Sequence, residues 1–303
     1  MKIVFVVNNK NNRLAKVLPK LKEYCQQMNL GSNEFQTTLQ QKHAIQLAKK
    51  ATESGCDYLI AVGGDGTLNE VINGVLQSKV PASEYPTIAL LPHGSANDFA
   101  RTAGVSNSIE ELMALIQSDA TQKIDLGKIV IQKTQETRYF LNIAGIGLGP
   151  EVVQSLEGSS SRFGPGFNYF KHIIKGFLSY RKKEISCTSS TWQWKGMLLQ
   201  MAVANGRYYG NGICTAPDAK LTDGQFQVAI FGNLSLWDYL KNMGNLKKGV
   251  KINHPEVSYY EADEVELNSK DACGIEADGE YVGLAPATIR VLPKAIRFLM
   301  PSE

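Results

Sequence analysis

Tyr58-Leu59-Ile60-Ala61-Val62-Gly63-Gly64-Asp65-Gly66-Thr67-Leu68-Asn69-Glu70 runs from an apolar segment through a glycine-rich turn into a helical pattern continued by Val71 and Ile72. A strand, a glycine turn and a helix start form an anion site. Glycine lets the backbone turn sharply and come close to an anion. The unpaired N–H groups of the first helical turn point toward it, aided by the positive end of the helix dipole. Thr67 and Glu70 have capping-box spacing, which predicts a helix beginning at Thr67. Asp65 is the odd member, a carboxylate beside the proposed anion. It makes sense if a metal ion or a basic side chain joins it, so the stretch points to nucleotide phosphate.

Outward from this turn the first part of the chain alternates strands and helices. Strands are expected at 3–7, 34–38, 58–62 and 87–91, with helices at 14–28, 43–54, 67–76, 96–103 and 109–117. That alternation predicts an α/β domain with a parallel sheet covered on both faces, whose ligands bind beyond the carboxyl ends of the strands. Near Lys123 the rhythm changes. Strand-like runs at 124–131, 138–143, 197–204, 225–231, 264–267 and 288–292 follow at short spacing, interrupted by helical patterns at 167–182 and 236–246. The second domain is therefore expected to be β-rich and antiparallel, sandwich-like. The division proposed is 1–125 and 126–293, with 294–303 free to pack back on the first domain.

With 303 residues the chain has room for two such domains, each with its own core. The formal charge of +3 is too small to argue for nucleic acid, though it permits a mildly basic face toward anionic partners. No apolar run approaches the roughly 20 residues that span a bilayer. Ile3-Val4-Phe5-Val6-Val7 lacks a following small-residue cleavage site and reads as a first strand. Five scattered cysteines without Cys-x-x-Cys spacing read as buried reduced thiols, and hence a cytoplasmic location. The four histidines show no ligand spacing.

A second small turn, His93-Gly94-Ser95-Ala96-Asn97-Asp98, also follows a strand, and Ser95 to Asp98 repeats the cap spacing. Alone it reads as a capped helix; two such turns ending strands of one sheet favour a joint phosphate site. Neither standard nucleotide fingerprint is present. Gly145-Ile146-Gly147-Leu148-Gly149-Pro150 lacks the dinucleotide spacing and reads as a glycine-rich turn between strands.

The chain resembles the diacylglycerol kinase catalytic-domain family, which includes bacterial soluble lipid kinases and sphingosine kinases and is more distantly related to NAD kinases. The resemblance covers essentially the whole chain. It rests on the 63–70 stretch, on Gly94-Ser95-Ala96-Asn97-Asp98 with Arg101, and on Asn142-Ile143-Ala144-Gly145-Ile146-Gly147. It continues through Ala204-Asn205-Gly206, Ala216-Pro217-Asp218-Ala219, Asp223-Gly224 and Asp278-Gly279-Glu280. The first motif alone is shared with NAD kinases; the ordered series is far more specific.

The resemblance implies an ATP-dependent lipid kinase that phosphorylates a hydroxyl of diacylglycerol or a related lipid, with nucleotide in a cleft between the two domains. ATP would be held by Asn8, Asn9, Lys10, Asn11 and Asn12, by Thr38, by Gly63, Gly64, Asp65, Gly66, Thr67, Leu68 and Asn69, and by Ser95. It implies a structural magnesium ion on Asp223 and the carbonyls of Lys220 and Gln225, a set of oxygens that suits a hard cation. The same residues also read as a turn. Catalysis would rest on Asp65, steadying the magnesium that travels with ATP, and on a proton acceptor in 278–280. Glu280 aligns with the usual assignment and Asp278 is its rival. Asp98 and Asp125 align with a carboxylate network near the cleft, and equally read as a cap and a strand-end acid.

The family's first loop usually reads Asn-Pro-x-Ser-Gly, whereas this chain has Asn8-Asn9-Lys10-Asn11-Asn12. That departure keeps a non-catalytic nucleotide- or lipid-binding protein among the alternatives, beside an NAD kinase-like enzyme. Aromatic residues interleaved with Arg162, Lys171, Lys175, Arg181, Lys182 and Lys183 suit either an interfacial helix at a membrane surface or a solvated basic face. A peripheral membrane contact and a homodimer are further implications of the family.

Overall fold

A computed structural model describes residues 1–9, 14–28, 31–156 and 165–301, with the side chains from residue 171 onward in the last stretch. Lys10, Asn11 and Asn12, the serines 159–161 and the Arg162-Phe163-Gly164 stretch lie outside the described residues. The chain divides into two units, Met1–Ile124 with Lys294–Glu303, and Asp125–Pro293.

The first unit contains β1 (Lys2–Val7), α1 (Leu14–Gln27), β2 (Ser32–Thr37), α2 (His43–Glu53), β3 (Tyr58–Gly63), α3 (Asp65–Leu76), β4 (Thr87–Pro92), α4 (Asp98–Ala103) and α5 (Ile109–Ser118). Its strands run parallel in the order β2-β1-β3-β4. β1, β3 and β4 are apolar nearly throughout and buried on both faces, as the central strands of a helix-covered parallel sheet must be. The register sets Val7 opposite Thr37 and Val62, and Gly63 opposite Pro92. The carboxyl ends of all four strands therefore lie along one edge. Ile3, Phe5, Ile60 and Leu91 of the sheet pack with Leu21, Leu112 and Ile116 of the helices.

The second unit contains most of β5 (Thr121–Ile131), then β6 (Thr137–Phe140), β7 (Ile143–Gly147), α6 (Leu148–Leu156), α7 (Pro165–Ser179), β8 (Lys183–Thr188), β9 (Gln193–Leu198), β10 (Gln200–Ala204), β11 (Tyr208–Tyr209) and β12 (Ile213–Cys214). There follow β13 (Phe226–Phe231), α8 (Leu236–Lys248), β14 (Val257–Ala262), β15 (Glu264–Ser269), β16 (Gly274–Ala277), β17 (Glu280–Leu284) and β18 (Ala287–Leu299), whose last residues return to the first unit. One antiparallel sheet has the order β14-β13-β10-β7-β16-β17. In the other, β15 pairs with β18 on one side and β8 on the other, and β9 pairs with β8.

The two sheets share one core. Ile146, Met201, Val203 and Val228 of the first meet Ile185, Leu267 and Ile289 of the second. The fold is thus an α/β domain with a parallel sheet followed by an antiparallel sandwich. Side-chain alternation turns Ala202, Ala204 and Ala229 to the opposite face of the first sheet, where α6, α7 and α8 cover them. An apolar cavity of about 70 Å³ lies between this face and the helices, lined by Val152, Ile173, Phe177, Phe231, Tyr239 and Leu246 among others. All five cysteines are buried free thiols.

The glycine-rich stretch 145–150, expected to be a turn, is not one. It is the end of β7, a central sandwich strand, continuing directly into α6. The apolar residues between its glycines, Ile146 and Leu148, are buried, and the ladder to β10 and β16 holds the segment extended as far as Gly147.

Candidate functional site

In the first unit the two glycine turns touch. A Cβ on Gly64 would lie 2.7 Å from the Gly94 Cα, and a Cβ on Gly94 would lie 2.4 Å from the Gly64 Cα. Only paired glycines allow such an approach. The contact follows from the register, since β3 and β4 end opposite each other and His93 donates its N–H to the Gly63 carbonyl at 2.6 Å.

Helix α3 begins at Asp65 with Gly64 as its N-cap, two residues before the expected start at Thr67. The capping box does not form because both members are used elsewhere. The Thr67 hydroxyl accepts from Asn8 Nδ2 at 2.9 Å. The Glu70 carboxylate accepts from the Lys42 and Ala44 N–H groups at 3.0 and 3.1 Å, so Glu70 caps α2 rather than its own helix. Ser95 is exposed and does not cap α4, whose N-cap is Asn97 in the left-handed region, φ 53°. Asn97 folds back on Gly94 instead, accepting its N–H at 2.8 Å.

Asp65 takes the capping part at α4. Its two carboxylate oxygens accept from the Asp98 and Phe99 N–H groups, at 3.1 and 3.0 Å. The two glycine turns are thus bound by their backbones and by this side chain. A carboxylate offers about four lone-pair positions, so acceptor capacity remains on Asp65. Asp98 itself is buried.

The loop after β1 joins the same edge. Asn8 donates its N–H to Val62, and the Asn9 N–H reaches the Thr38 hydroxyl at 3.2 Å. Asn8, Asn9, Thr38, the residues 63–67 and Ser95 therefore gather at the carboxyl ends of the four strands. Leu68 and Asn69, next along α3, are both buried. Leu68 is buried with its N–H on the Gly64 carbonyl, and buried Asn69 accepts from Asn73 Nδ2 at 3.1 Å.

In the second unit Asp278 and Gly279 form the two-residue turn between β16 and β17, with φ values of 49° and 84°. Positive φ at both positions is the hairpin turn that matches strand twist. The Asp278 carboxylate accepts the N–H groups of Leu141, Asn142 and Ile143 at 2.8, 3.0 and 3.0 Å. This side chain ties the hairpin to the start of β7. Glu280 differs. Its Oε2 pairs with Arg138 of β6, both side chains about one-fifth exposed, at 18% for Arg138 and 24% for Glu280.

Sequence reasoning missed Arg138, whose strand position carries no mark of this pairing. It also missed Glu276, which is completely buried and accepts the Gly279 N–H on Oε2 at 2.8 Å. Burial pushes the Glu276 carboxyl up to about 7 from the ordinary 4.5, and Asp278 adds to the rise. The Tyr209 hydroxyl and the N–H groups of Gly279 and Gly145 act in the opposite direction.

Asp125, buried, accepts the Gly224 N–H on Oδ2 at 2.7 Å, and its own N–H goes to the Leu221 carbonyl at 2.7 Å. Asn205 Nδ2 bridges the carbonyls of Asp125 and Leu141 at 2.9 and 2.7 Å. The 220–225 loop is thereby anchored. Lys220, Asp223 and Gln225 lie on its exposed side, where Asp223 Oδ1 accepts the Gln225 N–H at 3.1 Å. Among the described residues no three His, Cys, Asp or Glu side chains gather as a metal cluster. A site here would hold its cation through one carboxylate and main-chain carbonyls, a donor set chemically suited to a hard cation.

The chain thus joins an α/β unit, whose two glycine turns meet at the carboxyl edge of its sheet, to an antiparallel sandwich. Residues 2–129 match the diacylglycerol kinase catalytic domain, and residues 146–300 match the YegS C-terminal NAD kinase beta sandwich-like domain. The chain belongs to the diacylglycerol kinase catalytic-domain family of ATP-dependent lipid kinases.

A diacylglycerol kinase of Staphylococcus haemolyticus (strain JCSC1435) is 30% identical over 261 residues, 84% of this chain and 74% of that one. One of Bacillus subtilis (strain 168) is 28% identical, covering 86% of this chain and 83% of its own. The crystal structure of a diacylglycerol kinase from Bacillus anthracis (strain Sterne) shares the fold, with a TM-score of 0.73 at 20% identity over 99% of this chain and 96% of that one. Among the described residues no helix is long and apolar enough to cross a membrane.

Proposed function

We propose that the protein transfers the γ-phosphoryl group of ATP to a hydroxyl of diacylglycerol or a closely related lipid. The observation that carries this reading is the Gly64–Gly94 contact, which builds one anion edge out of two turns and the start of α3. ATP phosphates lie along that edge beside Ser95, with Asn8, Asn9 and Thr38 on its nucleoside side. Asp65 orients the edge through α4 and keeps lone pairs toward the magnesium that accompanies ATP. A second, structural magnesium belongs on Asp223 with the carbonyls of Lys220 and Gln225.

Glu280 is the proton acceptor for the lipid hydroxyl. Asp278 spends its carboxylate on three N–H groups, whereas Glu280 is oriented by Arg138 through one oxygen and keeps the other. Phosphoryl transfer asks little more of the protein than this positioning and charge stabilisation. The apolar cavity beneath α6, α7 and α8 receives an acyl chain of the acceptor. Leu178 on α7 and Trp237 on α8 are 78% and 73% exposed, close in sequence to the packed Phe177–Tyr239 pair that lines the cavity. With the exposed Lys171, Lys175, Lys241, Lys247 and Lys248 they make an apolar and cationic surface fit for an anionic bilayer.

The test is an acceptor screen with ATP and magnesium in mixed micelles, across diacylglycerol, phosphatidylglycerol, a sphingoid base and NAD. Phosphatidic acid formation is the expected outcome. Phosphorylation of NAD alone, or of no acceptor, overturns the reading.

A further inference from the structure

Arg138 reaches Glu280 from the other sheet of the sandwich. β6 pairs with β5, which pairs with β18, whereas β17 is an edge strand of the six-stranded sheet. Arg138 Nη2 donates to Glu280 Oε2 at 2.5 Å, a charge-assisted bond. Stability does not account for it. An ion pair left partly in water contributes about 0–1 kcal/mol. The turn before Glu280 is already fastened by four main-chain N–H groups, three on Asp278 and that of Gly279 on Glu276. Arg138 is therefore not needed to hold the hairpin, and its cation stands beside the acid assigned to the acceptor hydroxyl.

That position has a chemical consequence. Glu280 accepts the proton through Oε1, so the acceptor oxygen sits about 3 Å from it. The same oxygen gains the phosphoryl group, whose own oxygens then lie within a side-chain rotation of a guanidinium held on Oε2. As the bond from the acceptor oxygen to Pγ forms, the bond from Pγ to the β–γ bridging oxygen breaks and its electron pair leaves with ADP. The hydroxyl proton passes to Glu280. The carboxyl is then neutral and loses most of its hold on Arg138, while an anionic phosphate monoester has appeared beside both.

We propose that Arg138 is a further catalytic residue, which passes from the Glu280 carboxylate to the phosphoryl group newly formed on the lipid. Loss of the proton from Glu280 to water reverses the exchange. The carboxylate recovers Arg138 and repels the phosphate, and the product leaves. The hand-over rests on the reading of Glu280 as the proton acceptor.

Titration calorimetry with dioctanoyl phosphatidic acid, beside dioctanoylglycerol as the neutral control, tests it in the wild type, Glu280→Gln, Arg138→Gln and the double variant. Glutamine at position 280 imitates the protonated acid. Glu280→Gln is expected to bind phosphatidic acid about tenfold more tightly than the wild type, the scale of one hydrogen bond to a charged group. That gain disappears in the double variant and returns in part when its second substitution is Arg138→Lys. Affinity for dioctanoylglycerol stays level throughout. In turnover assays Arg138→Gln lowers kcat by about tenfold with the KM for ATP unmoved. No gain in Glu280→Gln, a gain that survives without Arg138, or an unchanged kcat in Arg138→Gln overturns the hand-over while leaving the proton acceptor in place. Wild-type turnover by Glu280→Gln overturns the acceptor reading and the hand-over with it. Arg138→Met carries the same comparison if Arg138→Gln does not fold.

Discussion

The turn at 63–66 and the turn at 278–279 look alike as text, each an aspartate set among glycines, and they do opposite things with their surroundings. In both, the aspartate binds main-chain N–H groups across the unit: Asp65 those of α4, Asp278 those at the start of β7. The first turn opens into a helix and leaves N–H groups pointing outward, a place for anions. The second closes a hairpin and presents an acid, Glu280, next to an arginine. Aspartate in a glycine turn is here a fastening; what the turn offers to a ligand depends on the element that follows it.

That comparison breaks most visibly at Gly64. Gly64→Ala forces a Cβ into the Gly94 backbone, and we expect loss of ATP binding together with at least a hundredfold loss of kcat/KM, about 3 kcal/mol. Titration calorimetry with nucleotide checks it, and wild-type affinity would remove the anion edge from the account.

The second turn separates its two acids. Glu280→Gln should lower kcat by about a hundredfold or more without lowering the melting temperature, the scale of a general base. Asp278→Asn should instead unfold more readily by about 2–3 kcal/mol, because three N–H groups lose a charged acceptor. Denaturant unfolding beside steady-state kinetics distinguishes them; exchange of the two phenotypes would make Asp278 the base.

Glu276 sharpens the contrast through pH. Its carboxyl is raised from 4.5 to about 7, so between those values the folded protein holds a proton that the unfolded chain has lost. Stability from this group is present below pH 4.5 and is lost as pH rises through about 7. Across that window the unfolding free energy of wild type relative to Glu276→Gln should decline by about 3 kcal/mol. Asp278 and Tyr209 face this carboxyl and their variants should shift the window. A difference independent of pH would show that Glu276 is ionised throughout.

The smallest effect is expected at Asp65. Asp65→Ala uncaps α4 and should cost about 1–2 kcal/mol in stability. It should also weaken the magnesium dependence of turnover, measured by titrating magnesium at fixed ATP. An unchanged magnesium response would reduce Asp65 to the cap alone.

Much of the frame is legible in the residues. Tyr58 to Val62 is apolar without a break, and a strand buried on both faces has to be so. Helices at α7 and α8 and the hairpin at 278–279 follow from periodicity and turn chemistry. Caps were less legible. Thr67 and Glu70 satisfy a local pattern, yet Asn8 and α2, distant in sequence, compete for the same atoms and win. Glycine spacing at 145–149 reads as a turn until a carboxyl from β16 and a hydroxyl from β11 are seen to need the space.

By itself, then, the sequence determined the alternation of strand and helix, the change of rhythm near residue 124, and the glycines that make an anion edge possible. These are properties of residues close in the chain, set by side-chain period and backbone freedom. Tertiary structure alone decided which N–H groups Asp65 and Asp278 receive, that Glu276 is buried, that Arg138 meets Glu280, and that a cavity lies beneath the three helices. Those outcomes depend on groups brought together across long stretches of chain, where hydrogen-bond partners and burial are settled by packing rather than by local pattern.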